Sequence, residues 1–242
     1  IERKKIDFTG EYFTILPDGK YVFFSDSSKI TEKNTVTVTD EDLNVLCTYY
    51  GTEQNHNVIL GVPTRLATNE EGEAMFSPPY DGKVYQVSDT SFFPAYCLEY
   101  DFGTPIPHEE VLDITPFGLA SFLAKNGYIL NKGNFIENRT HWKMDFIYNG
   151  GLGELYTILY EKATGKSKTL KLQTGKDPLE RLFSDVKGRD GDYFIAIFDP
   201  NGIERILASE SSLAVPQAFK DSLASVDRED NPLLVFYSLK PF

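Results

Sequence analysis

A chain of 242 residues with 41% hydrophobic and 25% charged residues has the balance of a globular domain able to bury its own core. Its net charge of −12, with no basic cluster beyond the short "IERKK" start, excludes nucleic-acid binding, which needs a basic face to displace counterions, and argues against docking on anionic lipid. No apolar run approaches the ~18 residues that span a bilayer, and the longest, Pro232–Leu239, has the length of a strand.

The chain opens on Ile1–Phe8, an alternating strand pattern with no signal peptide in front of it, as expected of a processed chain or one that continues upstream. Aromatic residues make up 14% of the sequence, and they favour strands. "EYFTILPDGKYVFFSD" (11–26) reads as two strands around the turn Pro17-Asp18-Gly19. "NTVTVTDEDLNVLCTYYG" (34–51) reads as two more around Asp40-Glu41-Asp42. A hairpin at Glu71-Gly72 follows, then the strands "KVYQVSD" and "FFPAYCLEYDFG". Residues 106–127 read as a short helix and a longer one stopped by Gly127. Four strands then run from "GYILNKGNFIEN" through "HWKMDFIYNG" and "ELYTILYEKATG" to "KSKTLKLQTG". Beyond them lie a helical turn at 177–186, the strand "DYFIAIFDPNG", a helix at 215–226 and the strand "NPLLVFYSLK".

Four strands in turn close on Gly10, Gly51, Gly103 and Gly175. Repeats of 40 to 50 residues, each a four-stranded meander, are the pattern of propeller blades. The expected fold is therefore an all-β propeller of four-stranded antiparallel blades with short helical inserts, forming one domain over 1–242. The blades fall at about 11–51, 52–103, 104–175 and 176–242, with strand 1–9 in addition. The glycines are expected to supply the sharp turn from each outer strand to the next blade. The repeat phase leaves the last blade without an outer strand, and Ile1–Phe8 is expected to supply it by pairing with the Leu233–Leu239 blade. Cys47 and Cys97 hold matching places on two outer strands, too far apart to bridge, and are expected to be buried free thiols.

The tail "DREDNPLLVFYSLK" and the stretch "VYQVSD…FFPAYCLEYDFGTPIPHEEV" resemble the six-bladed β-propeller proteins, similar to NHL and TolB propellers, that gut bacteria secrete as lipoproteins. The resemblance covers about residues 12–240. It implies a propeller fold and an extracytoplasmic setting, in the periplasm or at the outer-membrane surface. It carries no catalytic residues. The family's two upstream blades and their Gly-rich segment have no counterpart here, so the four blades are either a smaller ring or the C-terminal four-blade portion of a six-bladed one.

Motifs for chemistry are sparse. "DFG" (101–103) matches the kinase metal-binding triplet without any other kinase element. His108-Glu109-Glu110 would begin a zinc helix, but Leu112 stands where the second histidine belongs. No Gly-x-Ser-x-Gly elbow is present, and the chain has three histidines. Two acidic loops, with Asp185, Asp190 and Asp192 in one and Asp227, Glu229 and Asp230 in the other, lack EF-hand spacing and read as solvated turns. Asn138-Arg139-Thr140 fits a glycosylation triplet and reads as accidental. Neither a cofactor nor a metal site is predicted.

In a propeller, ligands meet the loops at one end of the blades. Here those are 52–57, 77–83, 104–110 and 148–153, holding Asn55, His56, Tyr80, His108, Tyr148 and Asn149. Polar and aromatic groups on rigid strand ends suit a glycan or peptide. The expected function is a non-catalytic extracytoplasmic binding or scaffold propeller, whose partner is a glycan, a peptide or an envelope protein. The alternative is a hydrolase or lyase acting on a glycan or lactone at a metal in the central channel. A third reading is a structural piece of a larger envelope assembly.

Overall fold

The computed structural model describes residues 8, 10, 12–25, 34–52, 66–78, 82–107, 110, 118–148, 154–172, 177–208, 216–227, 229 and 231–242. They form a mostly β protein with four small sheets and a few short helices. The chain divides into two compact units, one of Ile1–Phe135 and Phe146–Gly153, the other of Ile136–Asp145 and Glu154–Phe242.

The first sheet is a meander of β1 (Tyr12–Ile15), β2 (Tyr21–Ser25), β3 (Asn34–Thr39) and β4 (Val45–Thr52), in that order. The β1–β2 turn forms where expected, because Gly19 adopts φ 86°, a conformation open mainly to glycine, and Leu16 and Lys20 close it. At the next turn the Asp40 side chain adds to the backbone bonds, accepting from the Asn44 N–H (2.8 Å) and Nδ2 (2.8 Å). The second sheet repeats the order with β5 (Leu66–Thr68), β6 (Ala74–Phe76), β7 (Lys83–Val87) and β8 (Phe92–Cys97). A bulge between Val84 and Tyr85 explains why Val84 and Val87, three apart, are both buried. Alternation in these strands puts Val22, Phe24, Val36, Val38, Ala74 and Phe76 into one apolar core, all fully buried.

The third sheet departs from a four-stranded antiparallel blade. Its order is β13 (Lys166–Leu172), β12 (Glu154–Glu161), β11 (His141–Tyr148), β10 (Tyr128–Glu137) and β9 (Thr104–Pro105). β9 pairs with β10 in parallel through Thr104–Tyr128 and Pro105–Ile129, so a stretch expected as loop is a fifth strand. Between them α1 (Leu119–Asn126) is stopped by Gly127 at φ 65°, as the sequence predicts. The fourth sheet has three strands among the described residues, β14 (Val186–Asp190), β15 (Tyr193–Phe198) and β16 (Leu233–Tyr237). The 177–186 turn is a 3-10 turn, Pro178–Glu180, running into α2 (Arg181–Ser184). The strand "DYFIAIFDPNG" stops at Phe198, and Pro200 begins a helix that the sequence reading missed, α3 (Pro200–Ala208). The predicted helix at 215–226 is α4 (Gln217–Ala224). Ile203, Ile206 and Leu223 from these helices pack with Leu179, Leu182, Ala196 and Phe198 as the core of the second unit.

The glycine-ended strands are corrected in two respects. β4 runs through Gly51 to Thr52, and β8 stops at Cys97, six residues before Gly103. Gly103 serves close packing rather than a left-handed turn: a Cβ there would lie 2.8 Å from both Ile129 Cγ1 and Tyr148 Cε2. Gly10 is similar, 2.8 Å from Phe23 Cδ1 by the same measure. Gly175 lies outside the described residues. Cys47 and Cys97 are unpaired, but Cys97 is exposed and Cys47 only half-buried, because the outer strand of each sheet packs on one side alone. The expected pairing of Ile1–Phe8 falls outside the described residues except for Phe8, whose ring meets Phe23 of the first sheet edge-on at 4.9 Å.

Candidate functional site

Short turns between strands build a cleft of about 610 Å³ in the second unit. Its first wall is the β10–β11 turn, organised by Asn138. This side chain is fully buried. Its Oδ1 accepts from the Thr140 N–H (3.0 Å), the Thr140 hydroxyl (3.2 Å) and the His141 N–H (2.7 Å). Its Nδ2 donates to the Asp192 carbonyl (2.9 Å), and the Arg139 N–H donates to the Gly191 carbonyl (3.1 Å). The β10–β11 and β14–β15 turns are thereby tied together. The Lys162 N–H donates to the Thr140 carbonyl (2.9 Å), which adds the β12–β13 turn. Thr164 caps that turn by donating its hydroxyl to Glu161 Oε2 (2.7 Å). The glycosylation triplet is thus a structural turn, with Asn138 buried rather than presented to solvent.

Arg139, His141, Glu161, Asp192, Tyr193 and Pro241 line the space the turns enclose. His141 is 2% exposed. Its Nδ1 is 2.8 Å from Thr140 Oγ1, and its ring is 5.3 Å from that of Phe242. Burial holds its pKa below the ordinary histidine range, with the Glu161 charge pulling the other way. Glu161 itself is held below the ordinary carboxylate range, chiefly by the Thr164 hydroxyl and despite its own burial. Arg139 Nη1 and Asp192 Oδ1 are 3.6 Å apart, a loose ion pair at the rim. Lys162 reaches away to Glu137 Oε1 (2.7 Å). Tyr193 is 48% exposed.

Strand alternation puts Lys143 and Asp145 on the same face of β11 as His141, deeper in the unit. Lys143 Nζ lies 2.8 and 2.9 Å from the two Asp145 oxygens and also donates to the Phe183 carbonyl. Asp145 Oδ1 accepts from the Thr157 hydroxyl (2.7 Å). Both charged side chains are almost wholly enclosed, so each depends on the other to offset desolvation. Near them Tyr237 donates to the Leu182 carbonyl (2.6 Å), and its pKa is pushed up by burial and then by the Asp145 charge. This group does not line the cleft.

Of the residues expected at the site, Asn55, His56, Tyr80, His108 and Asn149 lie outside the described residues, and so does the zinc-like start at His108-Glu109. Tyr148 is described. It ends β11 at the end opposite His141, half-buried, with its ring 6.1 Å from Phe102 and close against Gly103. Of the acidic loops, Asp185 pairs with Lys187, Asp192 belongs to the cleft, and Asp230 is outside the described residues. Among the described residues no group of three or more His, Cys, Asp or Glu could hold a metal ion. Likewise no described helix is long and apolar enough to cross a membrane. The sequence reading missed Arg139, His141 and Tyr193. The available signal was the polar set "NRTH" and "GDY" at hairpin turns, but nothing local says that these turns meet.

The described residues define a mostly β protein of small sheets with a polar cleft edged by one exposed aromatic ring. Residues 1–238 match the domain family DUF4934, a domain of unknown function, and the chain belongs to that family. No curated protein sequence matches the chain significantly. A solved structure from Bacteroides fragilis, described as a "putative exported protein", is similar with a TM-score of 0.74. That likeness covers 98% of this chain and 67% of the other, at 16% identity, and so concerns the fold alone.

Proposed function

We propose that the four sheets are blades of a β-propeller and that the chain is a non-catalytic, extracytoplasmic binding module for a glycan or peptide. The meander order of the first two sheets supports the propeller, since each sheet is built from consecutive strands before the chain moves on. Likeness to a Bacteroides fragilis protein described as exported supports the location. The observation that carries the binding reading is the cleft at the turns of the second unit. It is rigidly framed by turn-to-turn hydrogen bonds and lined with side chains of both charges beside an exposed tyrosine.

The binding reading is tested by calorimetric titration of the chain with oligosaccharides and short peptides, followed by mass spectrometry of the probe. Saturable heat with the probe recovered intact is expected. Cleaved probe would show an enzyme, and no heat from either class would end the binding reading. A crystal structure in which the sheets do not share a common axis would end the propeller reading.

A further inference from the structure

Asn138 Oδ1 accepts from two backbone N–H groups, so its identity as oxygen is fixed. Thr140 Oγ1, with one proton to give, lies 3.2 Å from that oxygen and 2.8 Å from His141 Nδ1. With that proton given to Asn138, Oγ1 accepts from His141 Nδ1–H; given to Nδ1, it leaves the ring proton on Nε2. Burial keeps the ring neutral. In either tautomer His141 Nε2 is buried with no hydrogen-bond partner. Asp192 Oδ1 is a second buried polar atom without a hydrogen bond, 3.6 Å from the Arg139 guanidinium. Unfilled buried polar atoms are costly and uncommon, and here both belong to residues lining one cleft.

We infer that this cleft is a carbohydrate subsite, in which His141, as its Nδ1–H tautomer, and Asp192 Oδ1 accept from ring hydroxyls, Arg139 donates to a ring or hydroxyl oxygen, and Tyr193 stacks against the sugar face. The inference rests on the binding reading above and names its ligand class. Isolated side-chain acceptors beside an aromatic ring fit a ring bearing hydroxyls. An extended peptide would instead seek an unpaired main-chain edge. At the cleft turns the Arg139 and Lys162 N–H groups are already spent on the Gly191 and Thr140 carbonyls. Phe242 covers the imidazole. Its ring lies 5.3 Å from that of His141, its N–H donates to Glu161 Oε2 (3.2 Å), and its carbonyl accepts from Lys166 Nζ (3.1 Å). The sugar reaches Nε2 when this ring swings aside.

The test uses the whole chain with ¹⁵N-labelled histidine and a panel of neutral and uronic-acid oligosaccharides of four to six units. With three histidines the spectrum is simple to assign. His141 is expected as the Nδ1–H tautomer, and a binding oligosaccharide should move its Nε2 resonance toward the hydrogen-bonded position. Tyr193→Ala should weaken binding about tenfold without moving the melting temperature, and Phe242→Ala should tighten it. Three results would overturn the inference: an Nε2–H tautomer, oligosaccharide binding unchanged in Tyr193→Ala, or no oligosaccharide bound by either the native chain or Phe242→Ala. Peptides that shift His141 where no oligosaccharide does would end the carbohydrate inference and leave the binding module standing. A cleaved oligosaccharide would end the non-catalytic reading instead.

Discussion

Strands β2 and β3 of the first unit and strand β11 are buried to the same depth by different means. In β2 and β3 the enclosed side chains include Val22, Phe24, Val36 and Val38, each at 0% exposure. In β11 six residues in a row, His141 to Phe146, are buried, so both faces are covered, and one face carries His141, Lys143 and Asp145. Apolar burial gains by area, roughly 25 cal/mol per Å², whatever the neighbour. A buried charge is tolerated only while its partner stays in place. The first strategy degrades gradually, and the second fails at a single atom.

Two effects are expected to be the largest, and the first comes from breaking the charged pair. Asp145→Ala leaves Lys143 enclosed without its carboxylate and removes the acceptor of Thr157. The expected cost is about 3–5 kcal/mol by urea unfolding. Lys143→Met combined with Asp145→Leu should restore stability to the native level or above it, since removing both charges removes the desolvation cost as well. A single variant costing under about 1 kcal/mol would show that water reaches the pair and would erase the contrast.

Phe24→Ala is the matched test in the apolar region. The ring packs 4.9 Å from that of Phe76, within a core of Val22, Val36, Val38 and Leu66. The expected loss is about 3–5 kcal/mol from transfer and cavity terms. No second truncation should rescue it: Phe24→Ala with Phe76→Ala should be worse than either alone. Rescue by the second change would mean that the site collapses freely and is not packed as described.

Gly103→Ala asks for less. The added methyl would meet Ile129 and Tyr148 at 2.8 Å and the Gly127 carbonyl at 3.0 Å. A packed neighbourhood that must shift typically costs about 1–3 kcal/mol. An unchanged melting temperature would show that the aromatic group of Phe102, Phe146 and Tyr148 moves aside without resistance.

What could be read in the sequence follows the same divide. Hairpins announced by Pro17-Asp18-Gly19 and Glu71-Gly72 form where the turn residues put them, because their conformations are set within four residues. The helix Gln217–Ala224 follows from its apolar spacing and the proline before it. "DPNG" misleads, since it reads as the tail of the strand "DYFIAIFDPNG". Asp199-Pro200 is also a helix start with proline at the first position, and Ile203 and Ile206 then fall buried three apart. The role of Gly103 was hidden because close packing against Ile129 depends on tertiary contact, unlike a left-handed turn. The cleft was hidden for the same reason. Its wall comes from 139–141, 161–163, 192–193 and 238–241, segments that share no local pattern.

The smallest effect expected is a pH dependence that belongs to β11. Burial depresses the folded-state pKa of His141 below the ordinary 6.5, so the unfolded chain binds the proton more readily. Folding stability should therefore rise with pH through the window below about 6.5, and fall as the medium is acidified toward the folded-state value. The neighbouring Glu161, itself depressed, contributes stability that is present above the ordinary 4.5 and lost only as pH falls through its own lower folded value. The two windows open at different points, and the range between about 6.5 and 4.5 reports His141. Hydrogen exchange corrected for intrinsic rates should show amides of β11 and β12 losing protection between pH 7 and 5 while those of β2 and β3 keep theirs. His141→Gln should flatten the upper window alone. An equal loss in β2 and β3 would show that the titration reaches beyond the polar region, and the two strategies of burial would no longer be independent.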